Sequence, residues 1–258
     1  MTRPLRQRVR ERDTLLGGFV FSTDPNITAI YAAAGFDFVI IDLEHTMGDT
    51  QVVAAHLRAA QAAGIDAVVR IGRSQLGDVP RLLDAGCCGL MLPHVGLPSY
   101  GANEALRAMR YPPEGDRPMC TGVPAAGYGL SSFPDYVRRS NAETLSIGLV
   151  EDKACVDDID AVLSGGLLDC VMPGPGDLSV SYGVHGQFGH PLVLDAIDRV
   201  LSAAQKRGVA AGLYIADPSA IAAGLARGFN VFVLSIDYKL LGSTLRSAVQ
   251  CMNEHRSR

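Results

Sequence analysis

Apolar residues concentrate in eight short runs, each bounded by turn residues and most followed by an amphipathic, Ala/Leu-rich stretch. Short runs that are apolar at successive positions predict strands covered on both faces, as in a parallel sheet. They are Leu15 to Phe21, Phe36 to Asp42, Asp66 to Ile71, Gly89 to Pro93, Leu145 to Glu151, Leu168 to Gly174, Val209 to Ile215 and Val231 to Ile236. Helical patterns separate them, among them Thr50 to Ala63, Gly77 to Ala85, Asn103 to Met109, Lys153 to Leu163, Pro191 to Lys206, Pro218 to Ala226 and Lys239 to Asn253. Eight β-then-α units in 258 residues predict one α/β domain, residues 1–258, closed as a (β/α)8 TIM barrel. An open dinucleotide-binding sheet fits less well, because "GPGDLS" lacks the third glycine of that fingerprint. The stretch Tyr111 to Pro134 is too long and too rich in Gly and Pro for a plain connector, and predicts a loop lying over the barrel mouth.

In such barrels the reactive groups stand at the C-terminal ends of strands. Strand two ends in Asp42, Glu44 and His45, strand three in Arg70, strand four is followed by His94, strand five ends in Glu151, and Asp177 comes just past strand six. Glu151 and Asp177, from neighbouring strands, suit a hard divalent cation such as Mg²⁺ or Mn²⁺, with Co²⁺ a further candidate. The plainer alternatives are that Asp177 caps the helix after "GPGD" and that Glu151 opens the acidic first turn of the next helix. Gly174 and Gly176 could expose backbone N–H groups to a carboxylate or phosphate. Arg70 could hold a substrate carboxylate or neutralise the local acids. His45 is the candidate general base, oriented by an acid such as Asp42, since an imidazole can titrate near neutrality. His56, on a helix, is expected at the surface or an interface.

Composition narrows the partners. A formal charge of −4 offers no basic surface for nucleic acid, and the arginines of "MTRPLRQRVRERD" are interrupted by Glu11 and Asp13, as on a solvated helix face. No run is long and apolar enough to suggest a membrane span. The six cysteines have no metal-like or CxxC spacing, so reduced thiols in a cytoplasmic protein are expected. None of the three lysines lies in an apolar strand, which disfavours imine chemistry, and no GxSxG, HExxH or Walker loop occurs.

Taken together, "GFDFVIIDLEH", "VVRI", "RLLDAG", "RYPPEGDR", Val150 with Glu151, "GPGDLS" and His190 with Pro191 resemble the HpcH/HpaI aldolase family over nearly the whole chain. The resemblance implies a metal-dependent class II carbon–carbon lyase acting on 4-hydroxy-2-oxo acids through a pyruvate-type enolate, with an aldehyde as partner. It implies Glu151 and Asp177 as metal ligands, Arg70 facing the 2-oxo acid and His45 as the base working through water. Asp42 and Asp84 match the carboxylates associated with that base, and the Gly174–Gly176 backbone matches the segment receiving the substrate carboxylate. It also implies a homohexamer whose C-terminal helix is exchanged with a neighbouring subunit.

The chain departs from the family pattern at Leu149, where type members carry glutamine, at Arg117 and Pro118, and at His94. His94 and the loop after Arg117 are therefore expected to help choose the second substrate. A histidine after strand four also occurs in a citrate synthase of siderophore biosynthesis from the same family, so a Claisen-type condensation of oxaloacetate with an acyl-CoA is an alternative. A non-catalytic 2-oxo acid-binding barrel is a third reading.

Overall fold

The computed structural model describes residues 3–256. Eight parallel strands close into a barrel in sequence order: β1 Leu15–Val20, β2 Phe38–Asp42, β3 Asp66–Arg70, β4 Gly89–Leu92, β5 Leu145–Val150, β6 Cys170–Pro173, β7 Ala210–Ile215 and β8 Val231–Ile236. All eight expected strands form. Alternation along each strand divides the core in two. Phe38, Ile40, Val68, Met91, Ile147, Cys170 and Val233 fill the barrel interior, whereas Val39, Ile41, Val69, Leu92, Val150 and Phe232 pack under the surrounding helices. Gly17 is a glycine because the Phe38 ring crosses the interior; a Cβ there would lie 2.3 Å from the ring.

Differences from the sequence expectation are instructive. The helix predicted over Lys153 to Leu163 is two pieces, Lys153–Asp157 and Ile159–Ser164. A helix at Phe133–Glu143 leads into β5, and because β5 starts at the N-terminal face, the whole stretch from Tyr111 to Ser132 belongs to that face. It does not lie over the mouth of its own barrel. Arg117 fixes it there: its guanidinium donates to Asp84 at 2.6 Å and lies 4.7 Å from the Tyr111 ring centroid. His56 is buried rather than at the surface, with Nδ1 2.8 Å from Thr28 Oγ1 and Nε2 3.0 Å from the Ser22 carbonyl, and burial lowers its pKa. It ties the loop after β1 to two helices.

The N-terminal arginines are not a solvated face either. Helix Leu5–Arg10 plugs the barrel bottom with Leu5 and Val9. Arg6 and Arg10 reach Asp169 at 2.9 and 2.8 Å, Arg110 at 3.4 Å, and Ser146 donates to the same carboxylate, whose side chain is 1% exposed. Burial and the neighbouring Arg6 push Arg110 down to about 10. Removing the central acid strands these cations, so Asp169→Ala is expected to cost about 3–5 kcal/mol and lower the melting temperature by roughly 10 °C. Calorimetry checks this; a shift under ~2 °C would make the plug dispensable. No helix among the described residues is long and apolar enough to cross a membrane.

Candidate active site

The interior series of alternate residues continues past the apolar part of three strands, and this is what assembles the site. After Phe38 and Ile40 comes Asp42; after Val68 comes Arg70; after Ile147 and Leu149 comes Glu151. Each side chain therefore points into the barrel mouth by strand geometry alone. Asp42 and Arg70 are register partners across β2 and β3, and Arg70 Nε donates to Asp42 Oδ1 at 2.6 Å. Asp42 also accepts the N–H groups of Glu44 and His45, both at 3.1 Å. It does not touch the His45 imidazole, as the sequence suggested; its oxygens are taken by Arg70 and by the turn after β2. The carboxylate nearest the ring is Glu44, with Oε2 3.7 Å from His45 Nε2 and 3.6 Å from Arg70 Nε. Tyr100 OH donates to Glu44 Oε1 at 3.0 Å. The Arg70 guanidinium rests on the Phe19 ring at 4.5 Å. Anchored by Nε and backed by an aromatic face, it keeps both terminal NH2 groups for a ligand.

Glu151, at the end of β5, is 6% exposed and accepts the His94 N–H at 3.0 Å. His94 adopts a left-handed conformation (φ 51°), which turns this N–H onto Glu151. Its Nδ1 is 2.9 Å from Asp152 Oδ2, and its ring packs 4.8 Å from that of Tyr100. Gly174 is needed for close approach: a Cβ there would lie 2.5 Å from Glu151 Cγ. Its N–H is spent on the Val150 carbonyl, so Gly176 is the glycine of the pair left to bind a ligand. The plainer reading fails for Glu151, which lies before the N-cap Asp152 of the Lys153–Asp157 helix, whereas Asp177 does stand in the first turn of the Pro175–Ser181 helix, whose N-cap is Gly174.

Burial pushes Glu151 up to about 7, with the negative charges of Asp177 and Glu44 adding to the shift and His94 opposing it. A buried acid held near neutrality beside a second carboxylate is short of positive charge, which a divalent cation would supply. Among the described residues no set of three His, Cys, Asp or Glu side chains could hold a metal. A cation beside Glu151 would therefore have at most two carboxylate side chains and would fill its other positions with water or substrate, as hard oxygen-seeking ions accept.

A cavity of about 710 Å³ opens here, lined on one side by His45, Arg70, Glu151 and Gly176 and on the other by side chains of β1, β7, β8 and the last helix, Asp237–Arg256. Phe19, Phe21, Phe188, Tyr214 and Leu240 were missed in the sequence, although Phe19 and Phe21 fall in the interior series of Leu15 and Gly17 and could have been found that way. His94 stands beside Glu151 but does not line this cavity. Asp84 is not brought to it at all: it ends the helix Val79–Asp84 at the N-terminal face, bonded to Arg117.

A family model described as HpcH/HpaI aldolase/citrate lyase matches residues 15–243. The hydroxypyruvate/pyruvate aldolase of Paraburkholderia phytofirmans is 34% identical over 265 residues, covering 99% of this chain and 98% of that one. The solved HpcH/HpaI aldolase from Desulfitobacterium hafniense DCB-2 is similar with a TM-score of 0.91 at 29% identity, covering 98% of each chain. The citrate synthase SbnG is similar with a TM-score of 0.88 at 26% identity, covering 99% of each.

Proposed function

Because the chain belongs to the HpcH/HpaI aldolase/citrate lyase family, we propose that it is a divalent-metal-dependent lyase that makes or breaks 4-hydroxy-2-oxo acids through the enolate of a pyruvate-type 2-oxo acid, with an aldehyde as the other product. The observation that carries this is that Glu151, Arg70 and His45 line one cavity, with Glu151 a buried acid whose pKa is raised in part by the charge of Asp177, which does not itself line the cavity.

Glu151 and Asp177 would hold Mg²⁺, Mn²⁺ or Co²⁺, which when bound supplies the charge that stabilises an enolate. Arg70 receives the carboxylate of the 2-oxo acid with the NH2 groups that Asp42 leaves unused, and the Gly176 N–H assists. His45 takes the proton from the C4 hydroxyl as the C3–C4 bond breaks, and Glu44 steadies the resulting imidazolium. The apolar floor of Phe19, Leu149 and Met172 keeps water from the carbanionic carbon.

Pyruvate in D₂O tests the reading: its C3 protons should exchange in the presence of the protein and Mg²⁺ or Mn²⁺, and EDTA should stop the exchange. Absence of exchange with every metal would sink it. His45→Ala is expected to lower turnover by ~10²-fold or more with little change in metal affinity; unaltered turnover would remove His45 from the mechanism.

The likeness to SbnG, with the His94–Asp152 pair beside Glu151, favours a Claisen condensation as the second reading. Release of free thiol from acetyl-CoA and oxaloacetate distinguishes it. The last helix carries an exposed apolar stripe, Leu241, Leu245, Val249 and Met252, each more than half exposed, at spacings of four, four and three. This supports a homo-oligomer, a hexamer by family resemblance, in which a second copy covers the helix. If Asp84 serves the base, it has to come from another copy whose N-terminal face meets this mouth, since its own chain holds it at the far end.

A further inference from the structure

The mouth is divided by chemistry. Strands β2 to β6 supply its acids, arginine and histidines, whereas β1, β7, β8, the last helix and Phe188, in the loop before the Pro191–Arg207 helix, supply an almost uncharged wall. A 2-oxo acid of pyruvate size, held at Arg70 and Gly176, fills a small part of a 710 Å³ cavity. The rest is open to the molecule that reacts with it.

The wall is built of Phe19, Phe21, Phe188, Tyr214, Ile236 and Leu240. Phe19 and Phe21 meet edge to face at 6.2 Å, and Tyr214 lies 6.5 Å from Phe19 at a tilt of 45°, so the rings form a continuous aromatic surface. Asp237 fixes its position: it is 7% exposed and accepts the N–H groups of Phe21 and Ser22 at 3.1 and 2.9 Å, locking the end of β1 against the start of the last helix. Tyr214 OH has no hydrogen-bond partner among the described residues and stands at the edge of this surface, an available donor. Among the described residues of this wall Lys239 is the one cation, and it is exposed on the last helix. The loop after Arg117, expected to contribute to the choice of substrate, sits at the other end of the barrel.

We infer that the second substrate is an aldehyde whose carbonyl carries an uncharged apolar group, aryl or branched alkyl, which lies against this aromatic wall. The inference rests on the aldolase reading above. In the synthetic direction one C3 proton leaves pyruvate, the enolate carbon bonds to the aldehyde carbon, and the carbonyl π pair moves to oxygen, which takes one proton. Pyruvate and aldehyde give one 4-hydroxy-2-oxo acid, with no oxidant or reductant. Burying a ring here is favourable in proportion to the apolar area removed from water. The buried cation that faces these rings, Arg70, lies 4.5 Å from the Phe19 and 5.9 Å from the Phe21 ring centroid and is taken by the carboxylate of the 2-oxo acid, so a second, terminal carboxylate would be left with the exposed Lys239.

The experiment has two arms on the unaltered protein with its metal. Exchange of the pyruvate C3 protons in D₂O reports the enolate step alone; without it the aldolase reading fails and this inference with it. Where exchange occurs, kcat/KM is compared for benzaldehyde, glycolaldehyde and succinic semialdehyde. Benzaldehyde is expected to lead by ~10-fold or more, and a hydroxylated or carboxylated aldehyde that equals it overturns the inference while leaving the aldolase reading intact. Phe188 is 57% exposed, so Phe188→Ala carries little folding risk. It should lower the benzaldehyde-to-glycolaldehyde ratio by ~5-fold, as should Leu240→Asp. A ratio unchanged in both variants overturns the assignment of the wall.

Discussion

In Glu151→Gln, turnover is expected to fall by at least ~10³-fold while the metal-free fold becomes more stable above pH 7. The first effect follows from loss of a charged metal ligand, since a Lewis-acid cation contributes several kcal/mol to such transition states and each ~1.4 kcal/mol is tenfold in rate. The second follows from the environment of the acid. Burial and the charges of Asp177 and Glu44 raise Glu151 from the ordinary 4.5 to about 7, so the folded state holds this proton more tightly than the unfolded chain does. The stabilisation is complete below about pH 4.5, is lost as pH rises to about 7, and is absent above it. Glutamine is neutral throughout and can still accept the His94 N–H. The variant should therefore exceed the parent by on the order of 2–3 kcal/mol at pH 8 in EDTA, with the gap closing at pH 5. Thermal melts at the two pH values measure it. A variant less stable than the parent at pH 8 in EDTA would mean that the chain itself already supplies the cation Glu151 needs.

The second large effect belongs to Asp42. Its carboxylate is the acceptor for Arg70 Nε and for two N–H groups of the turn that carries Glu44 and His45. Asp42→Ala leaves a guanidinium that is 10% exposed without its partner and frees the turn at once. Loss of one member of a buried charge pair costs about 3–5 kcal/mol, and misplacing both the substrate arginine and the base should lower kcat/KM by ~10³-fold. Asp42→Asn separates the two contributions. It keeps an acceptor for the turn but weakens the charge-assisted bond to Arg70, so KM for the 2-oxo acid should rise more than stability falls. Kinetics within ~3-fold of the parent would show that Arg70 is positioned by the Phe19 ring rather than by Asp42.

How much of this was legible beforehand depends on the range of the interaction. The strand ends were readable because alternation is a property of neighbouring residues: once Phe38 and Ile40 are interior, Asp42 must be. The pairing of Asp42 with Arg70 was not, because it needs the β2–β3 register. Nor was the role of Glu44, whose neighbours Tyr100 and Arg70 arrive from other loops and strands. His56 was misjudged for a related reason. A histidine in a helix looks solvent-facing until two distant partners, Thr28 and Ser22, are folded onto it.

By itself the sequence determined the eight strands, the barrel and the set of charged residues standing at strand ends, since these follow from local periodicity and from the direction of parallel strands. Only the tertiary structure decided which face holds the long loop and Asp84, what the N-terminal arginines bind, and that the mouth has an apolar half. Those outcomes depend on closing the barrel, which brings β8 beside β1 and sends every second connection to the far end; no segment of chain encodes that closure alone.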